Sequence, residues 1–286
     1  MKRLSIVLAV AILASLLVVP VASADGITWT SGFQVQNLGT SQAAVTIQYF
    51  NQDGTEAIAS IPGTIEPMSS VTYYPIHAPD GFNGSVVVSS NQPVVAIANT
   101  LGDDPQYAAS TEGFSAGAQP VMLPLIMKGN NGYYTWFNVQ NVGMAAASVT
   151  VEYIPGLAGT PYDTIATPVT IEPSAAHTFK QRDLTQLGTR FVGSAVVTSS
   201  QPIVATVMQV GETFKNLMGY NGFTAGSTKA SLPLVMAKNC DYYTGIQVQN
   251  VGSATATVTI NYGANSVGGF APTPDSVSLA PNESAT

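Results

Sequence analysis

The chain has almost no cysteine and little charge. Cys240 is the single cysteine in 286 residues, so no intramolecular disulfide can form and any fold must be held by its own apolar core. Its setting, Lys238-Asn239-Cys240-Asp241, reads as a turn. Charged residues make up 9% of the sequence, 9 basic against 16 acidic, for a formal net charge of −7. A sparse acidic surface has no electrostatic footprint for a phosphate backbone, which argues against nucleic acid as a partner. Ser, Thr, Asn and Gln are left to form the polar coat, a composition common in secreted and surface-exposed proteins. Only two histidines are present, His77 and His177. They stand about one repeat apart, and neither has Cys, Asp or Glu at ligand spacing, so they read as surface strand residues and no metal or cofactor is expected.

Long apolar runs are also missing, except at the start. Met1-Lys2-Arg3 leads into an apolar run over residues 4–19, then Pro20 and Ala22-Ser23-Ala24. This is the layout of a secretory signal peptide over residues 1–24, with cleavage expected before Asp25. An uncleaved anchor is the alternative, since the run approaches membrane-spanning length. Pro20 and the processing site that follows it favour cleavage, and no Cys follows to carry a lipid. Loss of Lys2 and Arg3 would take the formal charge from −7 to −9. The expected location is secreted or cell-surface, with no membrane contact beyond the leader.

What the sequence has instead is repetition. Phe33-Gln34-Val35-Gln36-Asn37-Leu38-Gly39 returns as Phe137-Asn138-Val139-Gln140-Asn141-Val142-Gly143 and again as Ile246-Gln247-Val248-Gln249-Asn250-Val251-Gly252. The spacing is that of a small β-domain rather than a solenoid turn. Residues 25–119, 120–228 and 229–286 are read as two units and part of a third.

Within a unit the apolar residues alternate. In Ser148-Val149-Thr150-Val151-Glu152-Tyr153 the Val and Tyr residues share one face, the period of a half-buried strand, and residues 45–49 and 258–262 keep the same phase. A one-residue slip would turn every one of them outward, so register is strongly specified. Further strands are read at 169–171, 176–179, 193–197 and 202–207, with 84–88 and 93–97 matching the last two. Pro67, Pro173 and Pro281 each precede a strand, where a missing N–H is tolerated. About seven short strands per unit with no helical pattern predict an all-β fold of tandem Ig-like β-sandwich modules, with a closed barrel as the alternative.

Leu123-Pro124-Leu125 and Leu232-Pro233-Leu234 open the second and third units, and the first has no counterpart after Asp25. Either the first unit lacks an edge strand, or each such strand completes the unit before it and staples neighbours together. The third unit stops at Thr286, inside a strand. Half a sandwich would expose a core face and unpaired edges, so a longer natural product, or an aggregation-prone one, is expected.

Chemistry is hard to find. Gly113-Phe114-Ser115-Ala116-Gly117 fits the hydrolase nucleophile pattern, but that needs a strand-to-helix turn, and the equivalent position in the next unit is Thr224. A Gly-rich linker is the reading. Asp53-Gly54 and Asp103-Asp104 read as turn acids, because no run supplies the six to eight oxygens that Ca²⁺ takes. Glu66 and Glu172 precede their prolines but give way to Ala280, so no shared carboxylate pair recurs. Asn83-Gly84-Ser85 and Asn282-Glu283-Ser284 are formal glycosylation sequons. Aromatic residues cluster at Tyr133-Tyr134 with Trp136, at Tyr242-Tyr243 and at Trp29. If exposed, Tyr134, Trp136 and Tyr243 are the candidates for stacking on a sugar. A Trp on an early strand is otherwise a core anchor.

The Leu-Pro-Leu opening, the Val-Gln-Asn-x-Gly turn, the Val-Thr-x-x-Tyr strand and the Gly-Ser-x-Val-Val and Gln-Pro-x-Val-Ala strands together resemble the Ig-like repeat modules of secreted and cell-surface bacterial proteins, as in Chloroflexota-type arrays. The resemblance covers nearly everything after residue 25. It implies stalks, spacers, adhesins or appendages of enzymes, and brings no functional residue with it. The expectation is a non-catalytic extracellular structural or adhesive protein whose partners are its own neighbouring modules and a surface or glycan ligand. The alternative is an accessory region of a larger secreted enzyme.

Overall fold

The computed structural model describes residues 26–104, 106–157, 159, 168–264, 269 and 271–286. The expected leader lies outside them. Among the described residues there is no α-helix, only strands, turns and two 3-10 turns at Gln181–Asp183 and Thr185–Leu187.

Seven strands come first: β1 (Trp29–Asn37), β2 (Ala43–Asn51), β3 (Ile61–Ile65), β4 (Ser70–Tyr73), β5 (Gly84–Ser90), β6 (Val94–Gly102) and β7 (Ala108–Glu112). They form two antiparallel sheets, ordered β4-β1-β6-β7 and β3-β2-β5. Eight follow: β8 (Val121–Lys128), β9 (Tyr133–Asn141), β10 (Ala147–Pro155), β11 (Val169–Ile171), β12 (Ala176–Lys180), β13 (Phe191–Ser199), β14 (Ile203–Gly211) and β15 (Asn216–Asn221). Their sheets run β12-β9-β14-β15 and β11-β10-β13-β8, the first arrangement with β8 added. Both groups are two-sheet, sandwich-like layers, and the barrel alternative is not formed.

The alternation read from the sequence packs as expected. On β10, Val149, Val151 and Tyr153 point into a core shared with Phe137, Val139 and Val207 of the opposing sheet, while Ser148 and Glu152 face solvent. In the first group Val45, Ile47 and Tyr49 meet Phe33 and Val35 in the same way. Each such side chain contributes about 1.5–3 kcal/mol of burial. The Asn of the repeated turn is buried and does the same work three times. The Asn141 amide donates to the carbonyls of Ala145 and Ile171 at 2.8 and 2.9 Å and accepts the Gly143 N–H at 2.8 Å. Asn37 and Asn250 repeat the set, to Ser41, Ile65 and Gly39 and to Ala254, Leu279 and Gly252.

The Leu-Pro-Leu strand belongs to the unit that follows it. β8 lies antiparallel to β13 from Val121↔Val197 to Lys128↔Phe191, which overturns the staple reading. Thr135 fixes its far end, since the Met127 N–H donates to Thr135 Oγ1 at 3.0 Å. In the third unit the Met236 N–H reaches Thr244 Oγ1 at 2.9 Å in the same way. There the strands pair two by two: β16 (Ala237–Asn239) with β17 (Tyr242–Tyr243), β18 (Val248–Gln249) with β21 (Ser284–Ala285), and β19 (Ala256–Ile260) with β20 (Asp275–Leu279). Leu232, Leu234, Tyr242 and Tyr243 are exposed.

Candidate functional site

An aromatic cluster lies between the first two units. Strand alternation sends Phe137 and Val139 of β9 inward, so Tyr134 and Trp136 stand on the outer face of their sheet, beside Met208 and Val210 of β14 and Leu217 of β15. That face is seated on Ile27, Trp29, Tyr107 and Ala109 of the first unit. Trp29 meets Trp136 edge-on at 5.1 Å between ring centroids and Tyr107 at 5.7 Å. Gly219 of β15 is what lets β7 approach, because a Cβ there would stand 3.0 Å from Thr111. The Arg182 guanidinium lies 3.8 Å from the centre of the Tyr134 ring and is ion-paired with Glu212.

Polar contacts rim this apolar patch. Lys215 pairs with Asp104 across the joint at 3.0 Å, and the Asn221 amide donates to the Glu112 carbonyl at 2.9 Å. The Gln106 N–H and then Lys215 hold the Asp104 carboxyl below its ordinary pKa, and the same ion pair raises Lys215. Burial raises the Tyr107 hydroxyl.

A second contact occurs at both joints. Ser85 of β5 donates its hydroxyl to the carbonyl of Ser174, in the turn after Pro173 of the second unit. Ser194 of β13 donates at 2.7 Å to the carbonyl of Asn282, in the turn after Pro281 of the third. Each carbonyl also accepts from a Gln of its own unit, Gln140 at 3.1 Å and Gln249 at 3.2 Å. Both turn residues are left-handed, with φ of 64° and 62°, and this aims their carbonyls back at the preceding unit.

The expected sugar-stacking residues are therefore not one surface. Tyr134 is 6% exposed and Trp136 half-buried, their rings packed on the first unit, and a covered face cannot stack on a sugar. Tyr243, the counterpart of Tyr134, is 68% exposed. The Gly113–Gly117 segment does not enter a helix: Ala118 bridges to Ile203, and Gly117 lies against Val142. His177 is half-buried against Phe179, its ring 4.7 Å away, and burial lowers its pKa. His177 stands on β12, and His77 is exposed in the loop after β4 rather than on a strand. Asp53 is a turn acid, accepting from the N–H and hydroxyl of Thr55. Cys240 is exposed in the β16–β17 turn. Among the described residues no three His, Cys, Asp or Glu side chains are grouped to hold a metal.

Sequence reasoning missed the joint serines and the Asp104–Lys215 pair. The signal for the serines was present, since Ser follows Gly in both Gly-Ser-x-Val-Val strands, on the sheet face turned away from the core.

No protein-family model and no curated protein matches the chain. A crystal structure from Thermotoga maritima, 1070 by its description, is similar over 38% of this chain and 96% of its own, at 21% identity and a TM-score of 0.29.

Proposed function

We propose that the chain is a non-catalytic structural or adhesive protein of the bacterial cell exterior, made of tandem Ig-like β-sandwich modules over residues 25–119, 120–228 and 229–286 behind a cleaved leader. The observation that carries this reading is the recurrence of one joint. A serine hydroxyl, a left-handed turn carbonyl and a glutamine amide meet in the same way at Ser85, Ser174 and Gln140 and at Ser194, Asn282 and Gln249. A contact that recurs between successive units sets a constant relation between them, which is what a stalk or spacer requires. The largest buried aromatic cluster outside the two cores serves the same end, since it spends its rings on the joint rather than on a ligand.

The test is to express the chain from residue 1 in a bacterial host, locate it and determine its N-terminus. Recovery from the exterior, beginning at Asp25, is the expected result. Retention in the cytoplasm with Met1 intact would overturn the reading.

A further inference from the structure

The outer face of the first unit's β4-β1-β6-β7 sheet is built differently from its counterpart at the joint. Phe33 and Val35 of β1 point into the core, so Gly32 and Gln34 point away from it, and Gly32 lies in line with Asn99 of β6 and Ser110 of β7. The second unit has Trp136, Met208 and Gly219 at these places and rests against the first unit there. The first unit's residues do not suit such a seat. Ser110 carries a side chain where Gly219 leaves room for a strand of the neighbouring unit, and Asn99 puts an amide where Met208 is apolar. This face is therefore something other than a joint.

A groove of about 460 Å³ crosses it, within the size range of small-molecule sites. One wall is the Tyr74 ring, which is 58% exposed and lies across β1 because Gly32 has no side chain: a Cβ there would stand 2.7 Å from the ring. Leu101 and Ala108 continue the apolar floor. Hydrogen bonds within the face fix its polar groups. Ser110 donates to Asn99 Oδ1 at 2.6 Å, which leaves the Asn99 amide N–H groups to donate to a ligand. Gln34, beside the groove, donates to Thr72 Oγ1 at 3.0 Å, which leaves the Thr72 hydroxyl hydrogen and the Gln34 side-chain carbonyl as a donor and an acceptor. Among the described residues no charged side chain lines the groove, and the adjoining row holds Glu112 opposite Ile97, an acid that repels anions.

We propose that this groove binds an uncharged sugar of a polysaccharide. A pyranose has an apolar C–H face and a rim of hydroxyls, so it needs a flat ring against it and fixed donors and acceptors around it, which Tyr74, Asn99 and Thr72 supply. A uronate or sulfated sugar would bring a charge that finds no partner here and stands beside Glu112. Such a ligand suits the adhesive reading of the chain, and rests on it for the place where the two meet. Binding in vitro is measured without regard to location, so either can fail alone.

Affinity gel electrophoresis of the full chain tests it, with mannan, xylan and a β-glucan as the uncharged polysaccharides in the gel and polygalacturonate as the charged one. The parent is expected to be retarded by at least one of the three and not by polygalacturonate. Tyr74→Ala and Asn99→Leu should each raise the Kd read from that retardation by about tenfold, while Trp136→Ala leaves it unchanged. Both groove positions lie outside the core, so each variant should keep the urea midpoint of the parent, and where one of them shifts it the other decides. A parent that migrates freely in all three, polygalacturonate that retards it as strongly as any of them, or groove variants retarded as the parent is would each overturn it.

Discussion

Ser194 gives its hydroxyl hydrogen to the carbonyl of Asn282, 2.7 Å away, and Ser85 stands in the same relation to Ser174 one unit earlier. The donor lies on a core strand and the acceptor in a turn preset by a proline, so both ends of the bond are positioned before the units meet. The ordering entropy opposing such a contact is correspondingly small.

Removing one donor should weaken a joint without dismantling a unit. Ser85→Ala leaves the Ser174 carbonyl its bond from Gln140, so the expected loss is about 0.5–1.5 kcal/mol. Ser85→Ala and Ser194→Ala together should give the sum of the single effects in urea unfolding, because the two joints share no residue.

The buried asparagine is a different matter. Asn141→Ala strands the carbonyls of Ala145 and Ile171 and the N–H of Gly143 at once. A loss of about 3 kcal/mol is expected, and Asn141→Asp should not rescue it, because a carboxylate cannot donate to those two carbonyls.

Trp136→Ala tests the aromatic joint. It should lower the free energy coupling the first two units by about 2 kcal/mol, seen as separation of one unfolding transition into two. Retention on immobilised polysaccharide should be unchanged, because this half-buried ring packs edge-on against Trp29.

His177 supplies a pH signature. Its pKa is lowered in the folded chain by burial against Phe179, so the folded state disfavours the imidazolium. Its contribution is fully present above the unfolded-state pKa, near 6.5. It declines as pH falls through that value and stops declining below the lowered folded pKa. Urea midpoints of the parent and His177→Gln should therefore diverge between neutral and mildly acidic pH, with the parent losing more stability.

The strands with alternating apolar residues were legible, because Val149, Val151 and Tyr153 state their register outright. β7 and β15 were not. Ala108–Glu112 has no apolar alternation of its own and is a strand because β6 supplies a ladder and β15 a surface to lie on. Asn141 was legible only by half: its bond to the Gly143 N–H follows from local turn chemistry, while its bond to the Ile171 carbonyl spans residues that only the fold brings together. Tyr134 and Trp136 carried a correct sequence signal, two rings on one strand face, but local sequence does not say whether solvent or a neighbouring unit covers that face. The answer lay in Trp29 and Tyr107, about a hundred and about thirty residues upstream, and no periodicity connects them.

The central claim is that successive units are held in one fixed relation. Spin labels at Met68→Cys and Met144→Cys, with Cys240→Ser, test it most directly, since both sites are exposed, outside the joint contacts and in different units. The account predicts a single narrow distance distribution that broadens when Ser85→Ala and Trp136→Ala are added. A broad distribution in the parent chain would contradict it.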